Sequence, residues 1–219
     1  MAQIIAEDKP GRLLIVEGAD EVTFFKALCE FLDIGHLIQI EDYKGKDRLR
    51  LFLANLVEDS TSFDRLAHLG IVRDAGYNTN AFDSIRSALR HANTKNVLNQ
   101  LPIPEKNFVP FGNQLKVSTL ILPDDALEGT LENVVLESFK EDSIIACVNA
   151  YFACLTSNGL ALTENVLPKA TMRVFLAGKS VVTGDTRWWI TDIYTQDWWS
   201  WDSPAFDSIK LFLRQMITD

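Results

Sequence analysis

Apolar residues fall along this chain in two alternating rhythms: short unbroken runs, and longer stretches at helical spacing. Leu13–Val16, Leu37–Ile40, Leu69–Val72 and Val117–Leu122 are runs of strand length. Near-continuous runs of this kind suit strands covered on both faces. Between them, Asp20–Leu32 places Phe24, Phe25, Leu28 and Phe31 at helical spacing, and Lys46–Val57 does the same with Leu49, Phe52, Leu53 and Leu56. Phe82–His91 reads as a third helix, entered through an Asn/Thr-rich turn. The alternation predicts an α/β fold, with a mostly parallel central sheet flanked by helices.

After the fourth strand the rhythm becomes helical. Asn133–Glu137 and Ser143–Leu155 read as helices, Met172–Ala177 continues one, and Ala205–Ile217 closes the chain on Phe206, Ile209, Phe212, Leu213 and Met216. Asn93–Gln114, with three prolines, reads as a long loop holding at most one edge strand. Gly184–Asp202 is irregular and holds all five tryptophans. The expected organisation is an α/β part over residues 1–140, with a helical C-terminal portion over 141–219 packed on it as one unit.

Three of the strand-like runs end in acid. Leu13–Val16 leads into Glu17, with Glu21 one helical turn on; Ile71-Val72-Arg73 leads into Asp74; Ile121-Leu122-Pro123 leads into Asp124 and Asp125. If the strands are parallel neighbours, these acids share the carboxyl edge of the sheet, where open α/β folds place their ligands. Carboxylates crowded together call for a cation.

Composition narrows the function classes. Of 219 residues, 47% are hydrophobic and 23% charged, as in an ordinary globular protein, and the formal net charge is −9. That balance argues against a broad basic surface for grasping nucleic acid, although a metal could still recruit phosphate. Cys29, Cys147 and Cys154 form no CxxC pair, and the last two stand seven apart. The expectation is three buried, inert thiols in a reducing cytoplasm. Met1–Arg12 holds acids and no apolar run, so it does not read as a signal peptide, and nothing reads as a membrane span. His36, His68 and His91 lack paired metal spacing, which disfavours zinc. No G-x-S-x-G, Walker A or Rossmann glycine pattern is present.

Taken in order, Leu-Leu-Ile-Val-Glu17-Gly18-x-x-Glu21, Ile-Val-Arg-Asp74-Ala and Glu128-Gly129-x-x-Glu132 resemble the Toprim domains of the overcoming-lysogenization-defect (OLD) nuclease type. Within that type, the resemblance is to small bacterial stand-alone Toprim proteins of unknown function. It covers about Leu13 to Glu137 and extends more weakly to Pro168-Lys169. The resemblance implies a Toprim-like sheet and a Mg²⁺- or Mn²⁺-dependent site for phosphodiester hydrolysis on nucleic acid or nucleotide phosphate. It implies Glu17, Glu21, Asp74 and Glu132 as metal ligands, and Lys169 beside a lysine of related nucleases. Where the family has the second aspartate of a DxD, this chain has Gly76, which offers no side-chain ligand. Asp124 and Asp125 are expected to compensate, an inference from the strand-four mouth and not a family rule.

Competing readings stand beside each assignment. Glu17 would also serve as an acid at a helix N-terminus, and Asp74 as a cap of the third helix or a brace for Arg73. Turn or cap roles are the stronger reading of Asp124 and Asp125. Glu21, Glu128 and Glu137 would also suit solvated helix faces, the stronger reading for Glu128 and Glu137, and a plain surface lysine is the stronger reading of Lys169. Lys44, Lys46, Arg48 and Arg50 follow strand two and suit either a phosphate-binding loop or a solvated helix start. Trp188, Trp189, Trp198, Trp199 and Trp201 read first as a local hydrophobic cluster, then as a homodimer or partner contact. Stacking on bases ranks last, because Asp185, Asp192, Asp197 and Asp202 would repel phosphates. The alternatives to a nuclease are therefore an impaired module that binds metal, nucleotide or nucleic acid, and an interaction subunit.

Overall fold

The computed structural model describes residues 4–5, 11–76, 80–123, 128–160, 163, 166–184, 193–194, 196 and 198–218. Four strands form one all-parallel sheet: β1 (Arg12–Val16), β2 (Gln39–Asp42), β3 (His68–Asp74) and β4 (Lys116–Leu122). Their order is β2-β1-β3-β4. In register, Leu14 stands opposite Ile40 and Gly70, and Asp74 opposite Leu122.

This order reverses direction once. From β1 the chain moves outward to β2, then returns past β1 to β3 and on to β4. Right-handed crossovers therefore put the first helix on one face and the next helices on the other. The cores record this division. On one face, Leu14 and Val16 pack with Phe24, Phe25 and Leu28 of α1 (Ala19–Phe31). On the other, Leu13 and Ile15 pack with Leu53 and Leu56 of α2 (Leu49–Glu58) and with Ile85 and Leu89 of α4 (Ala81–Asn93). The short α3 (Ser60–Phe63) follows α2 and is capped by Asp59, whose side chain accepts from the Ser62 N–H.

The C-terminal helices lie on the α1 face. They are α5 (Leu131–Glu137), α6 (Ser143–Ser157), α7 (Leu167–Thr183) and α8 (Asp207–Ile217). Met172 and Phe175 of α7, with Phe212 and Met216 of α8, join the same core as Leu14 and Val72. Trp199 and Trp201 are buried there, each with its ring centroid within 5.5 Å of the Phe206 ring. For these two residues the cluster reading holds. Trp188 and Trp189 lie outside the described residues.

Boundaries shift where packing overrides local pattern. β2 begins two residues later than its apolar run suggests, and α7 is far longer than Met172–Ala177. The predicted loop after α4 contributes only one isolated bridge, Phe111 to Val117. The thiol expectation is corrected: Cys29 is buried, but Cys147 and Cys154 are exposed. Their seven-residue spacing does give them one face of α6, yet only Val148 of that helix is fully buried. No helix among the described residues is long and apolar enough to cross a membrane.

Candidate metal centre at the carboxyl edge

The reversal of direction lies between β1 and β3, and it opens a crevice at their carboxyl ends. Glu17 follows β1 there directly. The connection after β2 closes over it: Tyr43 N–H donates to the Val16 carbonyl at 2.9 Å and Gly45 N–H to the Glu17 carbonyl at 2.8 Å. The Lys46 N–H donates to the Glu17 carboxylate itself. Gly18 caps α1, so Glu21 falls in that helix's first turn, on the side facing the crevice.

Asp74 ends β3 on the neighbouring strand. Just beyond it, Gly76 and Gly129 exchange two backbone hydrogen bonds, at 2.7 and 2.8 Å. Gly76 has φ +59°, and Gly129 has φ +139° with Pro123 Cδ only 2.4 Å from where a Cβ would stand. A side chain is thus strained at the first and has no room at the second. This tie delivers α5 to the site, where the Leu131 N–H donates to Asp74 Oδ1 at 2.9 Å. Asp74 therefore neither caps α4 nor braces Arg73: it satisfies one free N–H at the start of α5. Arg73 instead donates to Ser84 Oγ at 2.7 Å. Glu132, next along α5, is 7% exposed. Lys169 of α7 reaches it, Nζ to Oε1 at 3.7 Å.

These residues line one cleft of about 320 Å³, walled by Glu17, Glu21, Asp74, Glu132 and Lys169 with Lys44 at its rim. Its electrostatics are those of an anion-rich site short of cations. Burial raises the Asp74 carboxyl well above its ordinary value, and Glu21, Glu132 and Glu17 raise it further. Burial also raises Glu21, with Glu132 and Glu17 adding to it. Glu17 is raised by burial against the pull of Arg73, Lys169 and Lys46. The acids in turn raise the Lys169 ammonium, Glu132 most. Groups perturbed in this way within a cleft make it a candidate functional site.

Glu17, Glu21, Asp74, Glu132 and Lys169, each singled out by sequence, thus meet in one place. Asp124 and Asp125 lie outside the described residues. Glu128 and Glu137 are exposed, the latter paired with Lys140 at 2.8 Å. His68 is bonded to Ser118, away from this edge. One residue had no sequence signal at all. The Tyr194 hydroxyl is buried without a hydrogen-bond partner among the described residues. Burial and the nearby charges of Asp20, Glu21 and Glu132 push its phenol well above the ordinary range. Only the folded arrangement of the aromatic cluster brings it behind the acids.

Oxygen donors of this kind suit a hard divalent ion. Among the described residues no group of three or more His, Cys, Asp or Glu side chains stands arranged to hold a metal. Mg²⁺ does not require one, since it keeps several waters and takes one or two carboxylates directly.

No curated protein and no solved structure gives a significant match to this chain. One family model does, over residues 11–218, which takes in both the sheet with its acidic edge and the C-terminal helices. By that match the chain belongs to a family described as proteins of unknown function, DUF3226.

Proposed function

We propose that this protein is a divalent-metal-dependent phosphodiesterase of Toprim, OLD-like character, acting on nucleic acid or nucleotide phosphate with Mg²⁺ or Mn²⁺. The observation that carries the reading is the convergence of acids from β1, α1, β3 and α5 on one cleft, with Lys169 as the cation within it. Glu17 and Asp74, at the ends of adjacent strands, would hold the ion, and Glu21 and Glu132 would hold its waters. Such an ion supplies a nucleophilic water and neutralises phosphate charge. Glu17 is oriented for this task by the Lys46 N–H, and Asp74 by the Leu131 N–H. Each bond occupies acceptor capacity on one side of a carboxylate and leaves the remainder for the cleft. Lys169, half-exposed beside Glu132, would meet a phosphate oxygen at the rim.

A second reading is favoured by Gly76. It stands where the Toprim resemblance would place an aspartate, and its backbone is engaged with Gly129. A site short of one ligand suits a module that binds metal or nucleotide without turnover.

One experiment separates the two. Purified protein with Mg²⁺ or Mn²⁺ is expected to nick or degrade DNA, and Glu17→Gln to lower the rate at least about 100-fold with its metal-free melting temperature not lowered. Cleavage by Glu17→Gln at the parent rate would sink the hydrolase reading. No cleavage with either ion, with calorimetry showing metal binding that Glu17→Gln abolishes, would establish the binding module. Gly76→Asp tests the missing ligand, because a Cβ there meets nothing within 4 Å and Asp tolerates the left-handed region better than most residues. It is expected to tighten metal binding about tenfold.

A further inference from the structure

Lys44 borders two clefts. One is the acid cleft; the other, about 390 Å³, lies on the far side of the same loop. Its walls are unlike those of the first. Leu51 and Phe52 of α2 supply an apolar side, and Leu51 is 57% exposed. Lys44 and Arg48 supply charge, and Asn55 supplies a side-chain amide. Among the described residues neither cation forms an ion pair and the Asn55 amide makes no hydrogen bond, so all three have free capacity. Two acids also line it. Glu41 is held by the Gln39 side-chain amide at 2.9 Å, and Asp42 stands at the end of β2.

The backbone of the shared loop is unusual. Lys44 has φ +61°, a left-handed conformation rarely adopted by a lysine, and Gly45 follows at φ +99°. The strained residue is the one placed between the two clefts, and strain of this kind gathers at ligand-binding positions. Lys44 through Arg50 also sets four cations against the single acid Asp47, in a chain whose net charge is −9.

An apolar wall, a free amide and two cations in a cleft of this size match the parts of a nucleotide: base, base edge and phosphate. We propose that this cleft binds a nucleotide of a single-stranded nucleic acid. Its base lies on Leu51 and Phe52, its edge meets Asn55, and its phosphate is held by Lys44 and Arg48. Through Lys44 the strand then continues into the acid cleft, so the bound nucleotide adjoins the phosphodiester to be cut. That last clause rests on the hydrolase reading; the binding itself does not. A duplex is excluded by the same chemistry, because its stacked bases cannot reach an apolar wall and this acidic chain offers no broad basic face.

The test is run in EDTA, on the full chain, with a fluorescently labelled thymidine pentamer followed by anisotropy. Lys44→Ala/Arg48→Ala is expected to weaken binding at least tenfold. It should also lower the slope of log affinity against log salt by about 0.7, the amount expected for one single-strand phosphate, since the two cations hold the same one. Leu51→Ser, at an exposed position, is expected to weaken binding several-fold while leaving that slope unchanged. Thymidine monophosphate should compete, inorganic phosphate should compete more weakly, and a duplex of matching length should not bind. Unchanged affinity in the double variant overturns the proposal. So does a duplex that binds as well as the single strand, or inorganic phosphate competing as well as the monophosphate with Leu51→Ser silent. Because no metal is present, failure of hydrolysis leaves these results intact, and failure here leaves metal-dependent cleavage to be measured separately.

Discussion

The two ends of the same four strands are built on opposite principles. At the amino end polar groups are paired. His68 Nε2 and Ser118 Oγ lie 2.9 Å apart on adjacent strands. Arg12 Nε donates to the Met216 carbonyl at 3.1 Å, at the C-terminal end of α8, where unpaired carbonyls concentrate. At the carboxyl end Glu17, Glu21, Asp74 and Glu132 share one cleft, and the Tyr194 hydroxyl behind them has no partner among the described residues. One end holds the fold together, and the other keeps a charge imbalance that a ligand can relieve. Evolved sites commonly carry such a stability cost.

The largest expected effect separates the ends by substitution. His68→Ala removes a buried ring and leaves Ser118 unpaired, and should cost about 2–3 kcal/mol in urea melts. Asp74→Asn keeps an acceptor for the Leu131 N–H while removing a crowded charge. In EDTA it should gain about 1 kcal/mol. A loss from Asp74→Asn equal to that from His68→Ala would erase the distinction.

Opposite pH slopes sharpen it. His68 is held down to about 4, first by burial and then by Lys116 and Arg12. Between that value and its ordinary 6.5 the unfolded chain binds the extra proton, so stability rises with pH across this window. After allowance for screening the gain is about 2 kcal/mol. Glu17, Glu21 and Asp74 are raised instead, from ordinary values of 4.5, 4.5 and 3.8. Above those values the folded protein holds the extra protons, so stability in EDTA falls as pH rises toward the raised values. His68→Asn should therefore leave a falling profile from about pH 4 upward, and Asp74→Asn a steeper rising one. Melts from pH 4 to 7 on both variants check the signs.

How far the sequence announced these ends depends on what each contact requires. Leu13–Val16 and Leu69–Val72 are apolar enough to be strands by themselves, so the acids that follow them were legible as a pair. Glu21 was legible as the acid one helical turn on from Glu17, in a helix read from Asp20 that starts at Ala19. Glu132 was legible only through the resemblance to Toprim domains, because its arrival beside Asp74 depends on a tie made far away in the chain. The Asp74 bond to Leu131, the lone Tyr194 hydroxyl and the exposed cysteines of α6 were not legible. Spacing shows which residues share a face, but not whether another element covers that face.

Tyr194→Phe has the smallest expected effect and probes the seam between the two regimes. Removing a buried, unpaired hydroxyl should leave the metal-free protein as stable or about 1 kcal/mol more so, read by thermal melts in EDTA. A clear loss of stability would show that the hydroxyl is bonded in solution, and would return this part of the acidic end to the paired regime.

The reciprocal bonds between Gly76 and Gly129 have a kinetic meaning as well as a geometric one. They close a long excursion of chain, joining β3 to a helix whose first amide meets Asp74 across 57 residues of sequence. Closing so long an excursion is entropically slow, so the acidic cleft is expected to assemble after the sheet has formed. Once formed, two glycine amides report on it. Their hydrogen-exchange rates measure how often α5 swings away from β3 and carries Glu132 out of reach of Asp74, an opening that leaves the rest of the sheet folded.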